Sequence, residues 1–255
     1  MCRITPLTCI LLIPVTFALA GDQPQSGFAE RQKPYFSLMK IEEAWKITRG
    51  APNCTVGVID TGFDFFHPAL HANLKPGWFA PSVYHTDFCS MDAHGTEVSS
   101  LIAARRKDGE DGMWGLAPGC TILTASMGMP MHGLVQLQTQ FFAKSPKATM
   151  ADLQKEMAAH ATELQAFNDT WLDYVSETIA AAIRYLADRG VRVINHSGYL
   201  DLSLTKSYPA FKTRLEAAFT YAKNKDVLVV LGSGNSSQRV TDYPGDRSFV
   251  LIAGA

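Results

Sequence analysis

Short runs of apolar and β-branched residues recur along the chain and alternate with stretches of helical periodicity. The apolar runs lie at 55–60, 121–125, 191–194, 227–231 and 249–252. Such unbroken runs are typical of strands buried on both faces of a parallel sheet. Apolar residues at steps of three and four predict helices at 170–189, with Asp169 or Thr170 as N-cap and Gly190 at its C-terminal end, and at 210–223. Strands that alternate with helices predict βαβ units and an open parallel sheet of the α/β class.

The first 20 residues have the pattern of a secretory signal peptide. Arg3 precedes the apolar run 10–20, which ends in the small-x-small sequence Ala18-Leu19-Ala20. A membrane anchor is the alternative, but the run is short and Pro14 interrupts it. No later segment reaches the roughly 18 apolar residues that a span needs, so we expect no membrane span after signal removal. The predicted location is secreted, periplasmic or in the cell envelope.

The rest of the chain divides into a leader and one domain. Residues 21–37 are polar and predict a flexible leader, a short helix is expected at 38–45, and 38–255 form the domain. An insertion at about 130–168 separates a core strand from the helix at 170. Its apolar stripe predicts an amphipathic helix and consists of Met150, Leu153, Met157, Ala161 and Leu164. This helix either packs against the next one as a hairpin or lines the rim of a substrate cleft.

Composition and charge narrow the class of protein further. The 255 residues are 47% hydrophobic, which excludes a disordered or coiled-coil protein. Lys and Arg number 23 against 24 Asp and Glu, so no basic surface is available for non-specific binding to nucleic acid. Of the five cysteines, Cys54, Cys89 and Cys120 follow the signal peptide. An odd number in an exported protein predicts one bridge with a free thiol, or a partner outside this chain.

Candidate chemistry follows the predicted strands, where active sites of open α/β sheets lie. Asp60-Thr61-Gly62 ends the first strand, and His94-Gly95-Thr96 begins an apolar helical stretch. Ser197-Gly198 and Gly232-Ser233-Gly234-Asn235 follow two later strands. Taken singly, each motif has a structural alternative: the Asp as a helix cap or metal ligand, the His as a core residue, the Asn as a turn former.

Together, and in this order, the motifs resemble the subtilisin-like serine proteases, the subtilases. The matches over about 38–255 are Ile41-Glu42-Glu43-Ala44-Trp45, Asp60-Thr61-Gly62, His67-Pro68, His94-Gly95-Thr96, Gly115-Leu116-Ala117-Pro118, Ile194-Asn195 with Ser197, Ser233-Gly234-Asn235 and Tyr243-Pro244-Gly245. The resemblance implies a three-layer, doubly wound, mostly parallel sheet flanked by helices, incomplete at the C-terminus. It also implies a serine endopeptidase that acts on protein or peptide substrates.

The resemblance assigns a role to each matching residue. Asp60 and His94 match the Asp and the general base of the catalytic triad, and Asn235 matches the amide that stabilises the oxyanion. Two segments match the walls of the substrate cleft, with the residues Ser197, Gly198, Gly232, Ser233 and Gly234.

The nucleophile expected in Gly-Thr-Ser-x-x-x-Pro is not found before residue 255. Ser126-Met127-Gly128-Met129-Pro130 imitates the end of that motif, but Thr124-Ala125 precedes it, and we interpret Ser126 as a strand end. We expect the chain to be a piece of a longer reading frame that is inactive alone. The alternative is a peptide-binding pseudo-enzyme, and intact Asp60, His94 and Asn235 argue against it. A nucleotide-binding domain using Gly232-Ser233-Gly234 lacks the rest of its fingerprint.

The chain departs from the family at a common calcium site. Many subtilases have Asp after His-Pro as a calcium ligand, and here Ala69 stands there, so no metal or other cofactor is assigned. The carboxylates of 108–112 offer the hard oxygen ligands that calcium takes, although a solvated turn is the alternative. Cys54 and Cys120 each precede a strand, and these strands are neighbours in the family. The resemblance therefore implies a Cys54–Cys120 bridge, with Cys89 free or paired elsewhere.

Overall fold

A single parallel sheet of six strands organises the fold. The computed structural model describes residues 27–80, 93–106, 112–127, 141–149, 151–153, 155, 161–199, 208–234 and 248–253. The strands are β1 (Thr55–Asp60), β2 (Leu74–Phe79), β3 (Thr121–Ser126), β4 (Val193–Tyr199), β5 (Leu228–Gly232) and β6 (Val250–Ala253). The helices are α1 (Phe28–Leu38), α2 (Ile41–Trp45), α3 (His94–Ala103), α4 (Ala161–Asp188) and α5 (Pro209–Asn224).

The strand order reverses at β1, because later strands are added on its other side. The order is β2-β3-β1-β4-β5-β6, and every neighbouring pair is parallel. From β1 the chain passes to the edge strand β2 and returns to β3, which lies between β2 and β1. It then crosses to the other side of β1 and adds β4, β5 and β6 in order. Ligands of open α/β sheets bind at such a switch point, beyond the carboxyl ends of the strands. Asp60, the last residue of β1, lies at that position.

Successive residues of β1 face two different helices, one on each side of the sheet. Val58 belongs to an apolar cluster that includes Leu74, Ile122 and Ala103 of α3. Gly57 faces the other way, and a Cβ there would lie 2.8 Å from Leu186 Cδ1 of α4. Because successive side chains of a strand point to opposite faces, α3 and α4 cover opposite faces of the sheet. The flanked parallel sheet confirms the predicted α/β class.

Most predicted strands and helices are present, although one strand was not predicted. The runs at 55–60 and 121–125 form β1 and β3, and the helix predicted at 210–223 is α5. The later runs form β4, β5 and β6 with shifts of one to five residues at their ends. β2 has no counterpart among the predicted elements.

Two predictions about helical segments were wrong. Residues 28–37 are not a flexible leader but belong to α1, whose Gln32 side chain hydrogen-bonds the backbone of Trp114. The helix predicted to start at Thr170 starts at Ala161, so the expected cap lies inside α4. Residues 161–168 are mostly good helix formers, and extending a helix adds one hydrogen bond for each residue fixed. They therefore continue α4. The predicted hairpin would involve residues 150–160, most of which lie outside the described residues, and it stays a prediction.

The described residues fall into two compact units. The larger contains the described residues of Gly27–Pro130 and Asp173–Ala255, and the smaller those of Met131–Leu172. The predicted insertion belongs to the smaller unit, with helical residues at 141–144 and 151–153 before α4. Met150, Met157 and the proposed signal peptide lie outside the described residues. Among the described helices, none is both long and apolar enough to cross a membrane.

The two described cysteines are neighbours as free thiols. Cys54 is exposed, Cys120 is buried, and a side-chain hydrogen bond joins them. They meet because Thr121 N, next to Cys120, donates to the Cys54 carbonyl at 3.0 Å. The implied bridge is therefore not formed in this structure, although the two thiols are adjacent. Cys89 lies outside the described residues.

Candidate active site

The Asp60 carboxylate is fixed where β1 ends. Its side chain is buried, and Oδ1 accepts hydrogen bonds from Thr61 N at 2.8 Å and Thr61 Oγ1 at 3.3 Å. The backbone is held as well, because Met127 N donates to the Asp60 carbonyl at 2.8 Å. The side chain and the backbone of Asp60 are thus both held in a set position.

His94 meets this carboxylate from the N-terminus of α3. Its Nδ1 lies 2.8 Å from Asp60 Oδ1, and half of the His94 side chain is exposed. An ionised carboxylate only accepts hydrogen bonds, so Nδ1 carries the proton. In the neutral ring, Nε2 then keeps a lone pair and is the atom able to take a proton from a substrate or nucleophile. This is the orientation of a general base.

Gly95 allows the close approach between α3 and the turn after β1. A Cβ at Gly95 would lie 2.3 Å from Gly62 O and 3.0 Å from the Asp60 Cβ. No side chain fits in this space. Thr96 adds a direct link, because its Oγ1 accepts a hydrogen bond from Asp64 N at 2.8 Å. The sequence His-Gly-Thr therefore has a local packing reason that is separate from the chemistry of the imidazole.

The segments predicted to line the substrate cleft lie side by side at the ends of β4 and β5. A Cβ at Gly232 would be 3.6 Å from the carbonyl oxygens of Ser197 and Gly198. Asn195 Nδ2 donates to Ser197 Oγ at 3.0 Å. Ser233 N donates to the Ala253 carbonyl at 2.9 Å, and Gly234 has a φ of +86°. The predicted oxyanion donor Asn235 lies outside the described residues.

Ser126, which imitates the nucleophile motif, is part of the fold. It is the last residue of β3, it is buried, and it pairs with Asp60 in the sheet register. Its hydroxyl donates to the Thr61 carbonyl at 3.2 Å. This hydrogen bond ties the end of β3 to the turn after β1, which agrees with the interpretation of Ser126 as a strand end.

A second histidine near the site had no role in the sequence analysis. His196 is buried in β4, and its Nδ1 lies 3.1 Å from the Ile59 carbonyl. Burial lowers the pKa of His196 below the ordinary value for histidine, although the hydrogen bond to Ile59 and the charge of Asp60 act in the other direction. Only the sheet register, which sets Ile59 opposite His196, brings this residue to the site. No motif or periodicity signals it.

Metal-binding groups are sparse in the described part of the chain. There, no cluster of three or more His, Cys, Asp or Glu side chains is arranged to hold a metal ion. At Ala69, the position of the common calcium ligand, the backbone N–H donates to His67 Nδ1 at 3.3 Å. Of the acidic segment 108–112, only Gly112 is described.

Comparison with known proteins gives one consistent family. The model of the subtilase family matches residues 51–255. A thermophilic serine proteinase of Bacillus sp. strain AK1 is 29% identical over 213 residues, which cover 83% of this chain and 40% of that protein. Fervidolysin of Fervidobacterium pennivorans is 29% identical over 219 residues, covering 80% of this chain and 24% of that protein.

Solved structures show the same similarity at the level of the fold. The serine protease MycP1, described as an essential component of the type VII (ESX-1) secretion system, superposes with a TM-score of 0.56 at 26% identity. The match covers 87% of this chain and 52% of that one. MycP1 from Mycobacterium smegmatis gives a TM-score of 0.56 at 25% identity, covering 87% and 50%. The chain thus spans less than half of both curated relatives and about half of each solved structure.

Proposed function

Because the chain belongs to the subtilase family, whose similar members here are named serine proteases, we propose that it is part of a serine endopeptidase of the subtilisin type. Asp60 and His94 supply two members of its triad. The observation that carries the proposal is the 2.8 Å contact between His94 Nδ1 and Asp60 Oδ1, with half of the His94 side chain open to solvent. The Ser is expected beyond residue 255, in Gly-Thr-Ser-x-x-x-Pro.

The proposed reaction uses these groups in a fixed order. The Ser hydroxyl attacks the peptide carbonyl while His94 Nε2 takes its proton, and Asp60 stabilises the imidazolium that forms. The amide of Asn235 donates to the oxyanion of the tetrahedral intermediate. His94 then returns the proton to the leaving amine, and water releases the acyl group by the same two steps in reverse. Each proton is accounted for within the triad and the substrate.

The remaining parts of the chain receive roles that fit this activity. We infer that residues 1–20 direct export and that 38–255 form part of the catalytic domain. The edge made by Ser197, Gly198 and Gly232 is inferred to bind the peptide, because exposed backbone at a strand end pairs with an extended substrate. The product of such a gene would act outside the cytoplasm on proteins or peptides.

The test begins with the gene beyond the codon for Ala255. We expect an in-frame Gly-Thr-Ser-x-x-x-Pro, and we expect the whole product to hydrolyse casein and to react with a fluorophosphonate probe at that Ser. His94→Ala is expected to abolish both, whereas His71→Ala, at an exposed histidine of the 67–74 segment, retains them. A stop codon at that point, or a whole product that neither hydrolyses nor reacts, would contradict the protease and leave the peptide-binding alternative.

A further inference from the structure

A second imidazole is buried beside the Asp60–His94 pair. His196 is 7% exposed, whereas the His94 side chain is 50% exposed. His196 lies on β4, next to β1, and the pair Ile59–His196 is the last in register between the two strands. Ile59 directly precedes Asp60. The imidazole of His196 therefore lies where the backbone pairing of β1 with β4 stops, just before Asp60 and the turn that follows β1.

The hydrogen bond at Ile59 fixes the state of this ring. His196 Nδ1 lies 3.1 Å from the Ile59 carbonyl oxygen, and a carbonyl oxygen only accepts. Nδ1 therefore carries the proton. Burial lowers the pKa of His196, so the ring is neutral at neutral pH and Nε2 is an unprotonated lone pair. The imidazole continues the β1–β4 pairing by one side-chain hydrogen bond.

Gly198 closes the other side of the ring. A Cβ at Gly198 would lie 2.5 Å from both Cε1 and Nε2 of His196, a distance that real Cβ atoms do not adopt. The ring and the bare backbone of Gly198 are thus a matched pair. Since Gly198 is also inferred to bind the peptide, one side chain supports both the strand that carries Asp60 and the edge of the cleft.

The charges that face His196 explain why its neutral form matters. The negative charge of Asp60 on β1 favours protonation of His196, and His94 on α3 opposes it. The residue paired with His196 on β5 is Leu231, which is apolar and buried. A proton on His196 would place a second positive charge near His94 and weaken the attraction between Asp60 and an imidazolium at His94.

We propose that His196 is a positioning residue. As a neutral imidazole with its proton on Nδ1, it ties the end of β1 to β4 and holds Asp60 against His94. It touches neither a substrate nor the reacting atoms, and it acts through Asp60. Its importance for catalysis rests on the proposed protease function, but its effect on the state of His94 does not.

The test is a set of three substitutions with NMR of the imidazole nitrogens on the full chain. In His196→Asn, Nδ2 takes the place of Nδ1 and still donates to Ile59. In His196→Gln the amide overlays Nε2 and does not reach, and His196→Leu has no donor. In the unsubstituted chain we expect His196 to show the Nδ1–H tautomer at pH 7.

His94 is the readout for positioning. In His196→Leu and His196→Gln we expect the midpoint of the His94 titration to fall by about half a pH unit or more, because the nearby carboxylate is held less well. The downfield Nδ1–H signal of His94 weakens in both. His196→Asn keeps both features. In the whole gene product, kcat is expected to fall roughly 10- to 100-fold for Leu and Gln, with KM nearly unchanged.

Two results would overturn the proposal. One is a His196 that is charged or protonated on Nε2 at pH 7, which needs no variant and so holds even if His196→Leu does not fold. The other is the same His94 spectrum in the Asn and Gln variants. A whole gene product that hydrolyses nothing would refute the protease and leave the NMR result standing. Active enzyme with an unresponsive His94 would refute the positioning role alone.

Discussion

At the scale of single residues, Gly95 decides how closely α3 approaches Asp60. Gly95→Ala would place a Cβ 2.3 Å from the Gly62 carbonyl, which is backbone and cannot rotate away. We expect the free energy of unfolding to fall by about 1–3 kcal/mol, as for other overpacked sites. Gly232→Ala is the control, since its Cβ finds no atom closer than 3.6 Å. Urea unfolding followed by circular dichroism measures both, and equal losses would contradict this account.

The thiol pair gives a prediction of chemical reactivity. Burial raises the pKa of Cys120, and the hydrogen bond with Cys54 raises it further. The thiolate is the form that reacts, so the reduced, folded chain should be alkylated by iodoacetamide at Cys54 on the order of tenfold faster than at Cys120 at pH 8. Peptide mapping over time gives the two rates. In 6 M guanidinium chloride they should become similar, and similar rates in the folded chain would contradict the prediction.

At the scale of elements, the residues that sequence patterns missed are those whose structure depends on distant partners. β2 contains Pro76 and Gly77, which argue against a strand. It forms because it is the edge strand beside β3, where Gly77 lies so close that a Cβ would be 2.2 Å from the Thr124 carbonyl. The buried runs of β1 and β3 needed no such help, because their apolar β-branched residues already indicate a strand.

Two hydrogen bonds between α1 and Trp114 explain why this segment is an ordered helix. Gln32 Nε2 donates to the Trp114 carbonyl at 2.7 Å, and Trp114 N donates to Gln32 Oε1 at 2.9 Å. Gln32→Ala loses both hydrogen bonds, worth about 1 kcal/mol each. We expect amide hydrogen exchange in 28–38 to accelerate by about 10-fold or more.

The neighbouring residue of α1 provides the matched control. Among the described residues Lys33 pairs with Glu30 alone, at 2.6 Å, and both side chains are largely exposed. Such pairs contribute about 0–1 kcal/mol, so Lys33→Ala should leave exchange in α1 nearly unchanged. Equal acceleration in the two variants would mean that α1 is held by something other than Gln32.

At the scale of the whole molecule, the site is a product of the strand order. Asp60 and His94 are 34 residues apart, and the family resemblance carried by their motifs implied that they meet. His196 lies 136 residues after Asp60 and comes to the site only because β4 is added next to β1. Periodicity within one segment carries no information about that adjacency. Asp60 and His94, which lie in motifs, were therefore predictable from the sequence, and His196 was not.

His196 also links the site to the pH dependence of the stability of the whole chain. Burial holds the pKa of His196 below that of an unfolded histidine, about 6.5. As the pH falls below about 6.5, the unfolded chain takes up this proton before the folded chain does. The contribution of neutral His196 to the free energy of unfolding is therefore fully present above that pH, and it is lost as the pH falls toward the lower pKa of the folded state. Hydrogen bonds also lower the pKa values of Asp152 and Asp188, but carboxylates act near pH 4 and below.

The loss on acidification should therefore begin before any carboxylate titrates. We expect the free energy of unfolding to fall between pH 6.5 and 5 with a slope of up to about 1.4 kcal/mol per pH unit, the limit for one proton. His196→Asn keeps a donor for Ile59 but does not titrate, so its slope in this range should be much smaller. His71→Gln, at an exposed histidine, should keep the slope of the unsubstituted chain. Urea titrations at four pH values compare the three proteins. A slope that survives in His196→Asn would assign the proton to another group and separate acid sensitivity from the site.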